Sequence, residues 1–322
     1  MRKVWAAGAV IAVVAAGIVA WRLVGDSVAP LLRADRCTAT VQGRTVELEP
    51  QQAENAALIS AIAVRREMPA RAATIALATA YQESKLVNID YGDRDSLGLF
   101  QQRPSQGWGT RRQVLDPEYS INAFYDALER VDGYASMEIT VAAQEVQRSA
   151  FPEAYADHEA DARVLASALT GESWRAFHCT VSDSPGDAAT DLDDSGLTAR
   201  AAAVRADLEA AFGPQSLGGF APGGVRDGHR EGSAHYEGRA IDVLVRPVTE
   251  QNQDRGWAMA HYLVAHAARL DVQTVIFDRR IWTSGLRSGS GWRTYAPDTT
   301  GRDAETAAIL EHRDHVHVDV HG

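Results

Sequence analysis

The sequence predicts a multidomain chain: an N-terminal transmembrane helix, a mainly-α domain, then an α+β domain. Three observations lead there. Residues 4–21 carry no charge, apolar positions recur at helical spacing between Cys37 and Val181, and beyond an acidic segment helices mix with short strands. At 322 residues the chain is long enough for two domains with cores of their own. A net charge of −11 without a long basic run gives no reason to expect nucleic acid as a partner.

Arg2 and Lys3 precede the uncharged run from Val4 to Trp21, made mostly of Ala, Val, Ile and Gly. It approaches the roughly 20 residues that a spanning helix needs, so residues 1–25 read as a signal anchor. A cleaved secretory signal peptide shares this opening. Its best cut, after Ser27-Val28-Ala29, would put Pro30 at the scissile bond, where cleavage is disfavoured. The N-terminal charges stay in the cytoplasm, which places both domains outside the cell membrane on a single-pass anchor. Secretion after cleavage is the alternative. Cys37 and Cys179 both follow the anchor, in an oxidising compartment where a disulfide is expected.

Residues 37–181 read as the mainly-α domain, with helices over 51–67, 70–84, 120–131 and 159–169. Residues 182–196, acidic and poor in apolar side chains, read as a linker. The α+β domain spans 197–322. It opens with a helix over 198–212 that Gly213-Pro214 stops, then a helix over 253–270 and strands over 272–277 and 316–320.

Two groups of residues carry chemistry. His235 and Asp242 stand seven apart, answered by His312, His315 and His317. Such a set suits a catalytic Zn2+ with three protein ligands and a fourth position for water, though other divalent ions accept the same donors. Alternation from His315 to His321 marks a strand with polar residues on one face and valines on the other. In the first domain, Glu83 ends an almost uncharged helix, which by itself reads first as an ordinary exposed glutamate of a last turn, or else as a carboxyl whose pKa desolvation raises so that it can act as an acid. Asp93 and Asp95 are the available second carboxylates, or turn formers.

Glu83-Ser84 followed by Gly98-Leu99-Phe100-Gln101 and Pro104 resembles the lysozyme-like lytic transglycosylases. Gly107-Trp108-Gly109-Thr110, Ala123-Phe124-Tyr125 and residues 146–152 (Val-Gln-Arg-Ser-Ala-Phe-Pro) look like the exported lysozyme-like domains of actinobacteria. The resemblance implies Glu83 as acid/base for the glycosidic bond and Gln101 as a cleft-lining residue. Ala142-Ala143-Gln144-Glu145-Val146 departs from that family's Ala-Tyr-Asn-Ala-Gly segment.

Ser233 to Asp242 resembles the zinc D-alanyl-D-alanine peptidases and hedgehog-like proteins, and His312-x-x-His315-x-His317 resembles the penicillin-insensitive murein endopeptidase. This resemblance implies His235, Asp242 and His317 as zinc ligands and His315 as a supporting or catalytic imidazole. Arg226 becomes a candidate for oxyanion stabilisation. Asp314 stands where many relatives carry a glutamate base, with His315 or Glu311 as substitutes. His229 reads as a loop residue bordering the cleft, and His261 and His266 as packing or surface residues. Trp282 reads as core; Trp292 reads equally as core or as a stacking platform.

Both resemblances imply one polymer. The expected function is peptidoglycan remodelling, with glycan strands and stem peptides as partners. The alternatives are a non-catalytic peptidoglycan-binding protein with a structural zinc, or a protein with one active domain.

Overall fold

Strands β1 (Arg36–Val41) and β2 (Arg44–Leu48) form a hairpin, and β3 (Phe177–Thr180) adds to the other edge of β1, giving the order β2-β1-β3. Cys37 and Cys179 face each other in the β1–β3 register and are disulfide-bonded, so the expected pairing is formed. The computed structural model describes residues 35–149, 151, 153–182 and 189–322. The anchor expected at 1–25 lies outside them. No helix among the described residues is long and apolar enough to cross a membrane.

Between β2 and β3 lie α1 (Pro50–Arg65), α2 (Ala70–Ser84), α3 (Arg111–Val114), α4 (Pro117–Leu128), α5 (Ile139–Gln147) and α6 (Glu159–Leu169). Sequence sets their starts. Pro50 and Pro117 occupy first-turn positions, where a missing N–H costs nothing. Asp116 caps α4 by accepting from Glu118 N at 3.0 Å and Tyr119 N at 3.3 Å. Helix α2, built of Ala, Thr, Ile and Leu, is buried from Ala72 to Ala80 and packs on α1, α5 and α6. It therefore ends inside the fold, and its last turn meets a cleft rather than open solvent.

The second half begins with α7 (Ala199–Phe212), whose Thr198 cap accepts from Ala201 N. A six-stranded antiparallel sheet follows in the order β4-β5-β9-β6-β7-β8. Its strands are β4 (Leu217–Gly218), β5 (Ala240–Leu244), β6 (Val272–Phe277), β7 (Arg280–Thr283), β8 (Arg293–Thr294) and β9 (His315–Val320). Helix α8 (Glu250–Ala265) packs on β6 and β9, and α9 (Ala304–Leu310) precedes β9. Val316, Val318 and Val320 are buried, and strand alternation sends His315, His317 and Asp319 to the opposite face.

The architecture is mixed α+β, and the two halves share one cluster of buried side chains running from Cys37 to Val320. Helix α1 packs on α7 and α8. Trp282 Nε1 donates to Cys179 O at 3.1 Å, and Trp292 Nε1 to Phe177 O at 2.7 Å. Trp292 also meets Trp257 edge-on, so both tryptophans serve this seam. His261 and His266 are buried; His261 Nδ1 donates to Ala168 O at 2.8 Å across the seam. Gly171, at φ +87°, lies so close to the Asp254 carbonyl that no Cβ would fit. Of the acidic stretch 182–196, residues 183–188 lie outside the described set, while Asp193 folds the end into a turn by accepting from Ser195 N and Leu197 N.

Candidate functional site

Glu83 sits one residue from the end of α2, and Lys85 closes the helix in the left-handed conformation. Ser84, buried beside it, donates to Leu99 O at 2.7 Å. That bond fastens the helix end to the 98–101 loop, and Phe100 stacks on Phe124 at 4.5 Å. The Glu-Ser and Gly-Leu-Phe-Gln segments are therefore one structural unit. Glu83 Oε1 accepts from Tyr155 OH at 2.8 Å and from Gln147 Nε2 at 3.2 Å. Gln147 is itself pinned, donating to Phe100 O at 2.7 Å. Burial raises the Glu83 carboxyl above its usual range, and the two donors only partly oppose that. Tyr155 is shifted up by burial and by the neighbouring carboxylate, so it stays a donor.

Glu83 opens on a cleft of about 1270 Å³ that Gln101, Trp108 and Phe151 also line. Gln101 is held by bonds from its Nε2 to Tyr91 O and Gly98 O. Asp95 faces elsewhere: it accepts from Ser105 N at 2.8 Å and Arg103 Nε at 2.7 Å, contacts that hold its carboxyl well below the usual range. Asp93 lines the cleft but its side chain is 93% exposed, and its ion pair with Arg94 is 3.9 Å long. Among the described residues no hydrogen bond fixes its side chain.

The second group converges on β5 and β9. His235, in the turn Ala234–Glu237, places Nε2 at 3.1 Å from His317 Nδ1 and 3.3 Å from Asp242 Oδ1. His317 Nδ1 and Asp242 Oδ1 are 3.1 Å apart. Donors about 2.0–2.2 Å from one ion lie near these separations. The far nitrogens are engaged as metal-binding imidazoles require: His235 Nδ1 donates to Gly219 O at 2.7 Å, and His317 Nε2 contacts Asp319 Oδ2 at 3.2 Å. His229 belongs here too, since one nitrogen of His229, one of His235 and an Asp242 oxygen all lie within 4.8 Å. The donor set fits a divalent ion.

The carboxylates and imidazoles of the cluster shift one another. Burial works to raise the Asp242 carboxyl, but hydrogen bonds from His235 and His317 outweigh it and hold it far below the usual range. Burial would lower His317, yet Asp242 and Asp319 push it up to about 9. Asp314 is buried, with Oδ1 accepting from His315 Nδ1 at 2.7 Å and Oδ2 from Arg246 Nε at 2.6 Å. Burial favours the neutral acid, while these two partners hold Asp314 below the usual range. With Nδ1 occupied, His315 turns Nε2 toward the site, 3.8 Å from Asp242 Oδ1. His312 packs behind His315 and is lowered to about 3 by burial and its histidine neighbours.

Three candidates for proton or charge work are not brought to the centre as ligands of a reacting group. Asp314 spends both oxygens on His315 and Arg246, which makes it a positioning residue. Glu311 pairs with Arg313 at 2.7 Å. Arg226 is exposed, with no hydrogen bond or ion pair to the His/Asp cluster among the described residues. Sequence reasoning passed over Tyr155, Gln147, Gly219 and Asp319, and gave His229 no ligand role. Gln147 lay inside a quoted motif, and Asp319 shares the face of His315 and His317. Nothing in the local pattern marks Tyr155 or Gly219.

Residues 193–308, about a third of the chain, match a family model described as VldE, C-terminal domain. The matched span holds His229, His235 and Asp242 and stops short of His315 and His317. No curated protein matches the chain.

Proposed function

We propose that this protein remodels peptidoglycan, cutting glycan strands at Glu83. The observation carrying this reading is a carboxyl at the end of a buried helix, raised by burial and oriented by two donors on one oxygen, opening on a cleft of about 1270 Å³. In the reaction Glu83 gives its proton to the glycosidic oxygen as the bond to the sugar breaks. Tyr155 and Gln147 hold the carboxylate that results. With Asp95 tied to Arg103 and Asp93 unfixed, the arrangement favours closure by the sugar's own hydroxyl, whose proton returns to the Glu83 carboxylate, over attack by water activated at a second carboxylate. The lysozyme-like character of 37–181 and the membrane anchor at 1–25, with both domains extracytoplasmic, belong to the same proposal.

A second activity is favoured by the convergence of His235, Asp242 and His317. In it residues 197–322 act as a zinc peptidase of the D-Ala-D-Ala peptidase type on stem peptides. A divalent ion held there supplies a Lewis acid and a water of lowered pKa. His315, oriented by Asp314, is the group placed to take a proton through Nε2.

Mass spectrometry of purified peptidoglycan digested by the full-length protein with Zn2+ tests both readings. Anhydro-sugar ends support the transglycosylase, reducing ends a hydrolase, and shortened stem peptides the peptidase. Intact polymer with folded, metal-loaded protein would support a binding protein instead.

A further inference from the structure

We infer that His229 is a fourth protein ligand, closing the position that a three-ligand centre leaves to water. This rests on the reading of His235, Asp242 and His317 as metal ligands. The ring of His229 lies against that of His235, with centroids 3.9 Å apart and planes inclined by 23°. One of its nitrogens is within 4.8 Å of ligand atoms on both His235 and Asp242. Imidazole lone pairs lie in the ring plane and a tetrahedral ion holds its nitrogen donors about 2.0–2.1 Å away, so the His229 ring must swing out of this stack for its nitrogen to complete the set.

The shift is available because of how the residue is mounted. His229 rides a loop between Gly219 and His235 in which Gly223, Gly224, Gly228 and Gly232 all have positive φ. Its backbone is clamped at one point: His229 N donates to Tyr236 OH at 3.0 Å, and the same hydroxyl donates to His229 O. Tyr236 directly follows His235, so the clamp ties the loop to the ligand turn itself. Loop and metal centre thus form a latch. With His229 bound, four protein donors surround the ion and a substrate carbonyl or water finds no place on it. With the loop swung out, the three-ligand centre with an open position is restored. Access to the centre is then governed by the 220–233 loop.

Cobalt(II) substitution in the full-length protein tests this, with azide as an exogenous ligand and a chromophoric chelator competing for Zn2+. Wild type is expected to give a visible spectrum that azide does not move. His229→Ala should keep the ion, bind Zn2+ at least about tenfold more weakly, and show an azide-dependent spectrum. Tyr236→Phe, which frees the loop and spares every proposed ligand, should gain azide sensitivity with little loss of affinity. If azide moves the wild-type spectrum as much as the His229→Ala spectrum, or if both bind Zn2+ equally well, His229 is no ligand. His317→Ala separates the two readings. Unchanged affinity in that variant would mean that the underlying ligand set is wrong, whatever His229 does.

Discussion

Asp242 and His317 are direct partners across the β5–β9 ladder, their Oδ1 and Nδ1 atoms 3.1 Å apart. Residues opposite one another in an antiparallel pair share a face, so strand register alone brings these two groups together. The buried valines of β9 pin that register, because a one-residue slip would turn them to the site and the imidazoles into the core. The alternation that buries the strand also gathers its imidazoles on one face.

Replacing Glu83 by Gln should abolish glycan cleavage, lowering the rate by at least the roughly 10²–10⁴-fold typical of a lost acid. A folded carboxyl with a raised pKa binds its proton more tightly than the unfolded chain does. Stability is therefore lost as pH rises from the ordinary carboxyl value through the raised one. Glu83→Gln is spared that loss, so it should melt higher than wild type at neutral pH, and the gap should close in acid. Thermal melts across pH, beside turbidity loss of cell-wall suspensions, read both effects.

Tyr155→Phe removes one of the two donors on Glu83 Oε1 and should lift the carboxyl further. The alkaline limb of the pH–rate profile for glycan cleavage should then move to higher pH. A limb that stays in place would separate the rate from Glu83 ionisation.

Gly219→Ala should weaken metal binding by about tenfold or more. Gly219 stands at φ +80°, and a Cβ there would strike the His235 ring whose Nδ1 its carbonyl orients. Zinc competition titration reads the affinity, and circular dichroism checks that the fold is kept.

Asp314→Asn should leave metal content unchanged and upset His315. The carboxylate accepts from His315 Nδ1 and so keeps Nε2 free of its proton. An amide can present N–H instead and invert that tautomer. The ¹⁵N shifts of the His315 ring report the change without any activity assay.

Much of the molecule could be read from residue order where one face of one element decides the outcome. Helices α2 and α6 and strand β6 fall at 70–84, 159–169 and 272–277 as their periodicity predicts. The polar face of β9 follows from its alternation, and the expected Cys37–Cys179 pair is formed. Helix α8 begins at Glu250 rather than Gln253, because Thr249 caps a polar first turn that apolar spacing cannot see. Strand β3 was missed since it is short and its partner lies far away in sequence. Tyr155 escaped for the same reason: the carboxylate it meets, Glu83, comes from a distant element.

The bond between Cys37 and Cys179 has a mechanical meaning. A pull between the β1 end of the described chain and its C-terminus would enter at Arg36 and cross directly to β3. The intervening loop, 142 positions apart at its ends, would bear no load. In a force spectrometer that loop, with its Glu83 cleft, would stay unextended until the bond is reduced. Reductant would then release extra contour length on the order of 500 Å at about 3.3–3.6 Å per residue.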